Sequence, residues 1–361
     1  MSQSPIRATF YSILPSPYQR DLFAAIAARP DIDLQVKYLE MTVDDSPWPQ
    51  KELQAYESVL PGKDLRWGSS RFHINWHLPN FADTDVVVLN GYQSSVSQWI
   101  LRTQAGKIPC VFWGEKIVGA ATGVKGKMQK NFADSLSNCQ AIAAIGAAAV
   151  EDYKQRYPNM PVHPIPYYCT LRNFQDNIPQ RPRDPINIFF CGQMIARKGV
   201  DLLLQSFSQI IDQGFNATLT LVGREAELPE FMAAIPEKTQ EKVIYKGFQA
   251  PETLPKFFNE ADIFVLPSRY DGWGVVVNQA VGAGLPIVCS DAVGSAADLV
   301  KDNGIIFEAG NQAKLYEALL TYISNPEKLT AASKASYANS ADWYPEVGAE
   351  RWANLFRQVL A

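Results

Sequence analysis

The sequence predicts an α/β protein with two doubly wound parallel sheets in separate domains that face each other across a cleft. Length is the first observation, because 361 residues exceed one ordinary core and suggest two domains of about 150 residues or a little more. The second is the alternation of short apolar runs with helical periodicities, which is typical of parallel sheets. The third is a proline-rich segment, 172–185, after which the alternation begins again.

The first half of the chain carries six predicted strands and four predicted helices. The strands are expected at 7–14, 34–38, 85–89, 108–113, 141–145 and 162–165. The helices are expected at 18–28, 94–105, 125–136 and 147–157. Residues 42–79 interrupt this order and are rich in proline, tryptophan and charge, which predicts either a hairpin with a long excursion or a binding lip. The first domain is predicted to span residues 1–171.

After the predicted linker, 172–185, the same pattern defines a second domain at 186–340. Its strands are expected at 186–191, 218–222, 243–245, 263–266, 286–289 and 305–307. Its helices are expected at 200–211, 228–234, 252–259, 312–323 and 327–338, with a further one between Val275 and the stop at Gly284. The last helix, within 341–361, is expected to pack back toward the first domain. Both domains are therefore predicted to be Rossmann-like.

Composition excludes several classes of protein. Hydrophobic residues make up 47% and charged residues 19%, as in a globular chain, and a net charge of −4 gives no basic field for nucleic acid. The five cysteines lie far apart without a C-x-x-C motif, which predicts buried free thiols in a reducing compartment. No signal peptide is recognised, and the longest apolar runs are shorter than the ~20 residues that span a bilayer. A cytoplasmic protein is expected.

The strongest chemical signal lies in residues 261–290, which read as strand, loop, helix and strand. The loop Asp271-Gly272-Trp273-Gly274 opens onto the helix that begins at Val275. A helix N-terminus offers unpaired amides and a positive dipole to an anion. Because a carboxylate, that of Asp271, stands in the same loop and can meet hydroxyl groups, the pair of features suggests a sugar attached to a phosphate.

Other predicted strands of the second domain end in residues that suit the same ligand. The strand that ends at Cys191 is followed by Gly192 and Gln193 and then by two cations, Arg197 and Lys198, at a turn into a helix. Such a turn can bind a diphosphate, although a solvated basic loop has the same sequence features. Gly223 and Phe248 follow two further strands. Phe248 can stack on a base or simply pack in the core.

These motifs together resemble the donor domain of retaining glycosyltransferases with the GT-B fold, in the large group 1 family related to glycogen synthase and bacterial mannosyltransferases. The motifs are GQMIARKGVD (192–201), LVG (221–223), KGF (246–248), ADIFVLPSRYDGWGVVVNQAVGAGLPIV (261–288) and NGIIF (303–307). The first half is similar to the family's acceptor domain mainly in pattern. Its corresponding stretches are PSPYQRDLF (15–23) and FWGEK (112–116).

The resemblance implies a role for individual positions. Lys198 matches the lysine that contacts the donor diphosphate, and the amides of Gly274 and Val275 match those that hold the distal phosphate. Asp271 and Gln279 occupy the positions of the family's acidic pair, which contact the transferred sugar and the ribose. The other donor-contact candidates are Gly192, Gln193, Gly223, Phe248, Gly272 and Trp273.

The chain also departs from the family pattern. The acidic pair is usually Glu and Glu, so Gln279 loses a charge-assisted bond to the ribose. Gln193 stands where an arginine usually contacts the diphosphate, and Arg197 is our candidate to restore that charge. Many relatives carry a histidine in the acceptor domain near the reacting sugar. Here Glu115 stands at the matching strand end and is our candidate catalytic group, with helix capping as the alternative role.

The predicted function is transfer of a hexose-type sugar from a UDP- or GDP-linked donor to an acceptor hydroxyl with retention, in polysaccharide, glycolipid or glycoconjugate synthesis. The acceptor is expected to be a glycan, a lipid-linked molecule or a small molecule, with peripheral contact to the inner membrane face if it is lipid-linked. No cofactor or metal is expected, since His73 and His77 have i,i+4 spacing but no third ligand.

Three alternatives remain open at this point. An inverting GT-B enzyme or a sugar-nucleotide epimerase shares the architecture, and a non-catalytic nucleotide-sugar-binding homologue would explain the altered acidic pair. A dinucleotide-dependent oxidoreductase would need a glycine fingerprint after the first strand, where Leu14-Pro15-Ser16-Pro17 stands instead.

Overall fold

The computed structural model describes residues 4–41, 52–67, 70–76, 78–117, 123–175 and 182–361. The strands are β1 (Ile6–Ser12), β2 (Ile32–Tyr38), β3 (Glu57–Val59), β4 (Gly62–Trp67), β5 (Ser70–Asn75), β6 (Val86–Asn90), β7 (Cys110–Gly114), β8 (Ala141–Ala144), β9 (Val162–Pro164), β10 (Ile186–Cys191), β11 (Ala217–Val222), β12 (Val243–Tyr245), β13 (Ile263–Leu266), β14 (Ile287–Ser290) and β15 (Gly304–Phe307).

The helices that connect these strands belong to two units. They are α1 (Pro17–Ala27), α2 (Ser95–Trp99), α3 (Gly123–Asp134), α4 (Ala147–Arg156), α5 (Arg172–Gln175), α6 (Val200–Asp212), α7 (Leu228–Ala233), α8 (Glu237–Gln240), α9 (Leu254–Asn259), α10 (Val275–Gly282), α11 (Ala296–Leu299), α12 (Gln312–Ile323), α13 (Pro326–Asn339) and α14 (Pro345–Leu360). Unit 1 comprises Met1–Tyr168 and Pro345–Ala361, and unit 2 comprises Cys169–Tyr344.

Unit 1 is built on a seven-stranded parallel sheet in the order β3-β2-β1-β6-β7-β8-β9. Its central strands are buried on both faces, which explains why β6 reads as a continuous apolar run, Val-Val-Val-Leu, instead of alternating with polar residues. The strand order reverses between β1 and β6. The carboxyl ends of these two strands therefore flank a switch point, where open α/β sheets commonly bind ligands.

The C-terminal helix α14 completes the core of unit 1. Trp352 is fully buried, and its ring centroid lies 5.0 Å from that of Phe10 on β1 and 5.5 Å from that of Trp113 on β7. Gly348 permits the close approach of the helix, because a Cβ there would stand 2.5 Å from the Tyr168 ring. The aromatic contacts on α14 thus fill the space against the centre of the sheet.

The predicted irregular segment, 42–79, contains a short parallel strand, β3, and the antiparallel hairpin β4–β5. Of the two structures left open by the sequence, the described part adopts the hairpin, while 42–51, 68–69 and residue 77 lie outside the described residues. The two faces of the hairpin differ in their exposure to solvent. His73 and Asn75 point inward and are buried, whereas Leu65 and Ile74 are exposed.

Unit 2 is built on a six-stranded parallel sheet in the order β12-β11-β10-β13-β14-β15. The chain starts this sheet at β10, adds β11 and β12 on one side, and then adds β13 to β15 on the other, so the switch point lies between β10 and β13. In the segment described from sequence as a linker, 172–185, the first four residues form the helical turn α5. Its Phe174 is buried and packs edge-on against Phe258, with 5.2 Å between the ring centroids. This contact stabilises unit 2, because it removes apolar surface from water.

Candidate functional site

The candidate donor site of unit 2 is formed by the loops that leave β10 and β13 at their carboxyl ends. The β10 loop runs from Gly192 to Gly199 and leads into α6, while the β13 loop runs from Pro267 to Gly274 and leads into α10. Because β10 and β13 are neighbours in a parallel sheet, both loops emerge at the same edge. The strands therefore bring together two segments that are about seventy residues apart in sequence, as the Lys198–Asp271 separation of 73 shows.

The two loops are joined by an ion pair between the Lys198 ammonium and the Asp271 carboxylate. Both side chains are largely shielded from water, with 16% and 14% of their surface exposed. A pair that is partly desolvated is screened less by solvent than a surface pair. The geometry places the cation predicted to bind phosphate and the carboxylate predicted to bind hydroxyl groups in direct contact.

Further bonds hold the two loops in register. The Arg269 N–H donates to the Arg197 carbonyl at 2.8 Å, and the Arg197 guanidinium donates to the Tyr270 carbonyl at 2.9 Å. Arg269 itself forms a bidentate pair with Asp201 on α6, with both distances 2.7 Å. Arg197 thus lies at the predicted site, but its described contact is with backbone. The Arg269–Asp201 pair was missed by sequence reasoning, although Asp201 in the first turn of α6 was a visible signal.

Gly199 allows the turn after Lys198 to pass close to the β13 loop. Its φ is +73°, and a Cβ would lie 2.0 Å from the Pro267 carbonyl oxygen. Gly223, at the end of β11, is equally constrained, since a Cβ there would lie 1.8 Å from the Gly192 carbonyl oxygen. The glycines predicted at these strand ends are therefore required by close contact between backbones.

We expect Gly199→Ala to displace Lys198 and weaken the site, because the added Cβ forces the β10 and β13 loops apart. Gly214→Ala is a matched control, because Gly214 also has a positive φ of +84° but nothing within 4 Å of an added Cβ. Both variants should lose roughly 1 kcal/mol of stability from the left-handed backbone, and Gly199→Ala should lose more because of its clash with the Pro267 carbonyl. Only Gly199→Ala should lose at least tenfold in donor affinity, measured by titration calorimetry. Equal affinities for the two variants would show that the β10 turn does not shape the site.

The loop between Asp271 and Gly274 is hydrogen-bonded to the turn that follows β14. The Asp271 N–H donates to the Ala292 carbonyl at 3.1 Å, and the Gly294 N–H donates to the Asp271 carbonyl at 3.0 Å. A Cβ at Gly294 would lie 1.9 Å from the Gly272 carbonyl oxygen. Gly294 is thus a supporting residue of the site that sequence reasoning missed, since nothing local connects it with a loop twenty residues earlier.

Gly274 caps the N-terminus of α10 in a left-handed conformation, with φ of +81°. Gly274 has no side chain to cap this helix, so within the described residues the first amides of α10, including that of Val275, receive no side-chain acceptor from the N-cap. Trp273 has a different place. It is buried, and its indole N–H donates to the buried Asn278 amide oxygen at 2.9 Å, so its ring belongs to the packing beneath the loop.

Gln279 lies on α10, one turn beyond Val275, and its Oε1 is buried. Among the described residues no group donates a hydrogen bond to this oxygen. A buried acceptor without a donor costs about 1–3 kcal/mol, so such an atom is usually reserved for a ligand or water. The Ser268 hydroxyl, at the end of β13, is in the same condition within the described part of the chain.

The neighbouring strand ends carry the remaining predicted residues of unit 2. Gln193 is exposed, and the Phe248 ring is about half exposed and therefore free of core packing on one side. The Tyr245 hydroxyl donates to the Gly223 carbonyl at 2.9 Å, which ties the ends of β11 and β12. Glu227 was not anticipated; its carboxylate accepts from the Ala196 N–H at 2.8 Å and holds the β10 loop.

In unit 1, Glu115 follows β7 and is part of a polar network at the switch point of that sheet. The Tyr167 hydroxyl is hydrogen-bonded to the side chains of Glu115 and Asn90. The Gln19 amide donates to the Asn90 Oδ1 at 2.9 Å, and the Asn90 amide donates to the Trp113 carbonyl at 3.0 Å. Burial raises the pKa of Tyr167 well above its usual value, so its hydroxyl stays protonated. Sequence reasoning found Glu115 but not its partners.

Other groups with potential chemistry have structural surroundings. In the described ranges no three His, Cys, Asp or Glu side chains cluster as metal ligands, and His73 Nε2 lies 3.8 Å from a Glu40 carboxylate oxygen. All five cysteines are buried and none forms a disulfide, as their spacing predicts, and burial raises the pKa of the Cys191 thiol to about 12. Among the helices described, none is both long and apolar enough to cross a bilayer.

Comparison with protein families finds a match for the second half of the chain. Residues 185–325 match the family model for glycosyl transferases, group 1. An uncharacterized glycosyltransferase of Methanocaldococcus jannaschii is 31% identical over 122 residues, which cover 33% of this chain and 30% of the relative. A lipopolysaccharide 1,2-N-acetylglucosaminetransferase of Salmonella typhimurium is 28% identical over 166 residues, covering 42% and 43%. The chain thus spans less than half the length of these curated relatives.

A third relative is a GDP-mannose-dependent monoacylated alpha-(1-6)-phosphatidylinositol monomannoside mannosyltransferase of Corynebacterium glutamicum. It is 24% identical over 173 residues, which cover 46% of this chain and 45% of the relative.

Solved structures resemble the chain over nearly its whole length. A sucrose-phosphate synthase from Thermosynechococcus elongatus superimposes with a TM-score of 0.74 and 17% identity, covering 98% of this chain and 99% of the other. The lipopolysaccharide outer core galactosyltransferase WaaB gives a TM-score of 0.72 and 14% identity, covering 98% and 100%. At these identities the likeness concerns the fold alone. The predicted GT-B class with two parallel-sheet Rossmann-like units is confirmed.

Proposed function

We propose, on the premise that residues 185–325 belong to the group 1 glycosyl transferases, that this protein is a retaining glycosyltransferase. It moves a hexose-type sugar from a UDP- or GDP-linked donor to an acceptor hydroxyl. The observation that carries the proposal is the contact between Lys198 and Asp271, which unites a diphosphate-binding cation with a hydroxyl-binding carboxylate. A nucleotide sugar presents both partners, phosphate and hydroxyl groups, side by side.

Lys198 would stabilise the departing diphosphate. Negative charge develops on that group as the bond between the anomeric carbon and the phosphate oxygen breaks, and a preorganised cation in a partly shielded site favours this charge. In the structure the Lys198 ammonium is neutralised by Asp271, so neither group is an isolated, partly buried charge. Donor binding would exchange one partner of Lys198 for the diphosphate and release the Asp271 carboxylate to the sugar.

The groups around this pair would complete donor binding. The uncapped amides at Gly274 and Val275 suit the distal phosphate, and the unpartnered Gln279 oxygen suits a ribose hydroxyl. Phe248 offers an exposed ring to the base. Arg197 is proposed as a second cation, which must first leave the Tyr270 carbonyl. These positive groups would carry the diphosphate without a metal.

In the proposed transfer step, the proton that the acceptor hydroxyl loses is taken up by the donor, so no protein base is needed. The acceptor oxygen bonds to the anomeric carbon on the face that the diphosphate leaves, and the acceptor proton passes to the departing diphosphate oxygen. Glu115, held by Tyr167, is our candidate for orienting the acceptor. The named substrates of two relatives, a lipopolysaccharide and a phosphatidylinositol mannoside, support a glycolipid or glycan acceptor.

The function is tested by screening UDP- and GDP-sugars for thermal stabilisation and then analysing the products. A donor at about 100 times its Kd should stabilise the protein by ~2.7 kcal/mol, and Asp271→Asn should lose most of that gain. With a sugar acceptor, proton NMR should show a product with the donor's anomeric configuration. Inversion, epimerisation of the donor, or binding without turnover would each replace the proposal with one of the alternative functions.

A further inference from the structure

The outer face of the β4–β5 hairpin presents apolar side chains to solvent. Strand register places Lys63 opposite Ile74 and Leu65 opposite Phe72 on this face, and Trp76 continues it by alternation. Leu65 and Trp76 are each more than half exposed. On the opposite face of the same hairpin His73 and Asn75 are buried, so the exposure of the outer face is not explained by a generally unpacked segment.

Helix α3 extends this apolar surface. Val124, Met128 and Phe132 follow one another at i,i+4 spacing along one stripe of the helix, and Val124 and Met128 are exposed. Phe132 joins the stripe to the hairpin, because its ring lies 5.2 Å from that of Phe72. We call the hairpin outer face and this stripe together the apolar rim of unit 1.

The exposure of the rim is unusual for this protein. In the described part of the chain five large hydrophobic side chains are more than half exposed, and four of them belong to the rim or follow it directly: Leu65, Trp76, Leu78 and Val124. Scattered exposed apolar residues need no explanation, but a concentration of them marks an interaction surface.

Charge identifies the kind of partner. Exposed Lys63 on the hairpin outer face and exposed Lys127 at the flank of the helix stripe accompany the rim, although the whole chain carries a net charge of −4. Protein–protein interfaces are depleted in lysine, whereas segments that lie at a bilayer surface combine tryptophan and aliphatic side chains with lysine. The lysine stem can follow the apolar surface while its ammonium reaches phosphate groups.

We propose that the apolar rim docks unit 1 onto a bilayer that contains anionic lipid. Trp76, Leu65 and Val124 enter the boundary between headgroups and acyl chains, and Lys63 and Lys127 contact lipid phosphates. Docking deepens the proposed function, on which it rests for its purpose, by giving the transferase access to acceptors embedded in a membrane. Binding to vesicles needs no donor, so docking and transfer can fail separately.

The test is co-sedimentation of the full chain with vesicles of phosphatidylcholine alone and of phosphatidylcholine mixed with phosphatidylglycerol. The wild type should bind the anionic vesicles, and rising salt should release it because surface charges are screened. Lys63→Glu/Lys127→Glu should weaken binding at least tenfold, since each lysine near an anionic surface contributes roughly fivefold. Leu65→Ser/Trp76→Ser should weaken it at least tenfold on both vesicle types.

Matched controls lie in unit 2. Lys328→Glu/Lys334→Glu makes the same charge change at exposed lysines, and Tyr337→Ser removes an aromatic side chain that is more than half exposed. Both controls should bind like the wild type, and all variants should keep the wild-type melting temperature. The proposal is overturned if the wild type stays in the supernatant, if the rim variants bind as well as the controls, or if sedimentation velocity shows that the rim instead joins two copies of the chain.

Discussion

Replacing Lys198 with alanine should lower sugar transfer by at least ~100-fold, because a preorganised cation at a departing diphosphate contributes that much to the rate. The same change leaves the 14%-exposed Asp271 carboxylate without its lysine partner, so donor affinity should fall as well. Initial rates at saturating and limiting donor separate the two effects. We expect the larger loss in kcat, since charge on the diphosphate grows as the glycosidic bond breaks.

Lys314→Ala is the matched control for this experiment. Lys314 also pairs with a carboxylate, that of Glu317, at 2.7 Å, but both side chains are more than half exposed and lie on the surface of α12 in the same unit. Its removal should leave transfer unchanged. Turnover of Lys198→Ala near that of the control, with equal melting temperatures, would mean that the ion pair of the β10 and β13 loops is structural and that the donor binds elsewhere.

Replacing Trp352 with alanine should destabilise unit 1 by about 3–5 kcal/mol, the usual cost of deleting a large aromatic side chain from a core. The ring is fully buried and has edge contacts with Phe10 at 5.0 Å and Trp113 at 5.5 Å, so its loss opens a cavity at the centre of the sheet. The shift is measured as the change in urea midpoint multiplied by the m-value.

Leu360→Ala provides the comparison on the same helix. Leu360 is 39% exposed at the end of α14, and its truncation should change stability by no more than ~0.5 kcal/mol. Equal effects of the two substitutions would contradict the central place that the structure gives to Trp352. Deletion of α14 removes every contact of this helix with unit 1. The destabilisation that it causes is therefore the upper limit for Trp352→Ala.

Much of the fold was predictable because buried parallel strands can be recognised from short windows of sequence. A strand such as β6 is apolar along its length, and each neighbouring helix carries its own period, so the order of elements follows from short windows of sequence. The β4–β5 hairpin was left open although Phe72 to Trp76 alternate between apolar and polar residues, because the pattern is inverted: His73 and Asn75 are buried, whereas Ile74 and Trp76 are exposed.

The site was predicted in its chemistry but not in its construction. Lys198 and Asp271 stand out individually, since each belongs to a loop with a recognisable motif. That they pair with one another depends on the adjacency of β10 and β13, which no local pattern specifies. Gly294 could not be predicted for the same reason. A glycine is required there only because the Gly272 carbonyl, from a distant part of the sequence, packs against it.

Helix α14 has a consequence for how the protein is made. Residues 169–344 separate this helix from the sheet that it completes, so unit 2 is an insertion within unit 1 in the order of synthesis. As the chain leaves the ribosome, β1 and β7 are present early, but the space between Phe10 and Trp113 stays open until Trp352 arrives. Domains usually finish folding in the order in which they emerge. Here unit 1 is the first to be synthesised and the last to be completed, and its apolar centre must stay protected while the whole of unit 2 is translated.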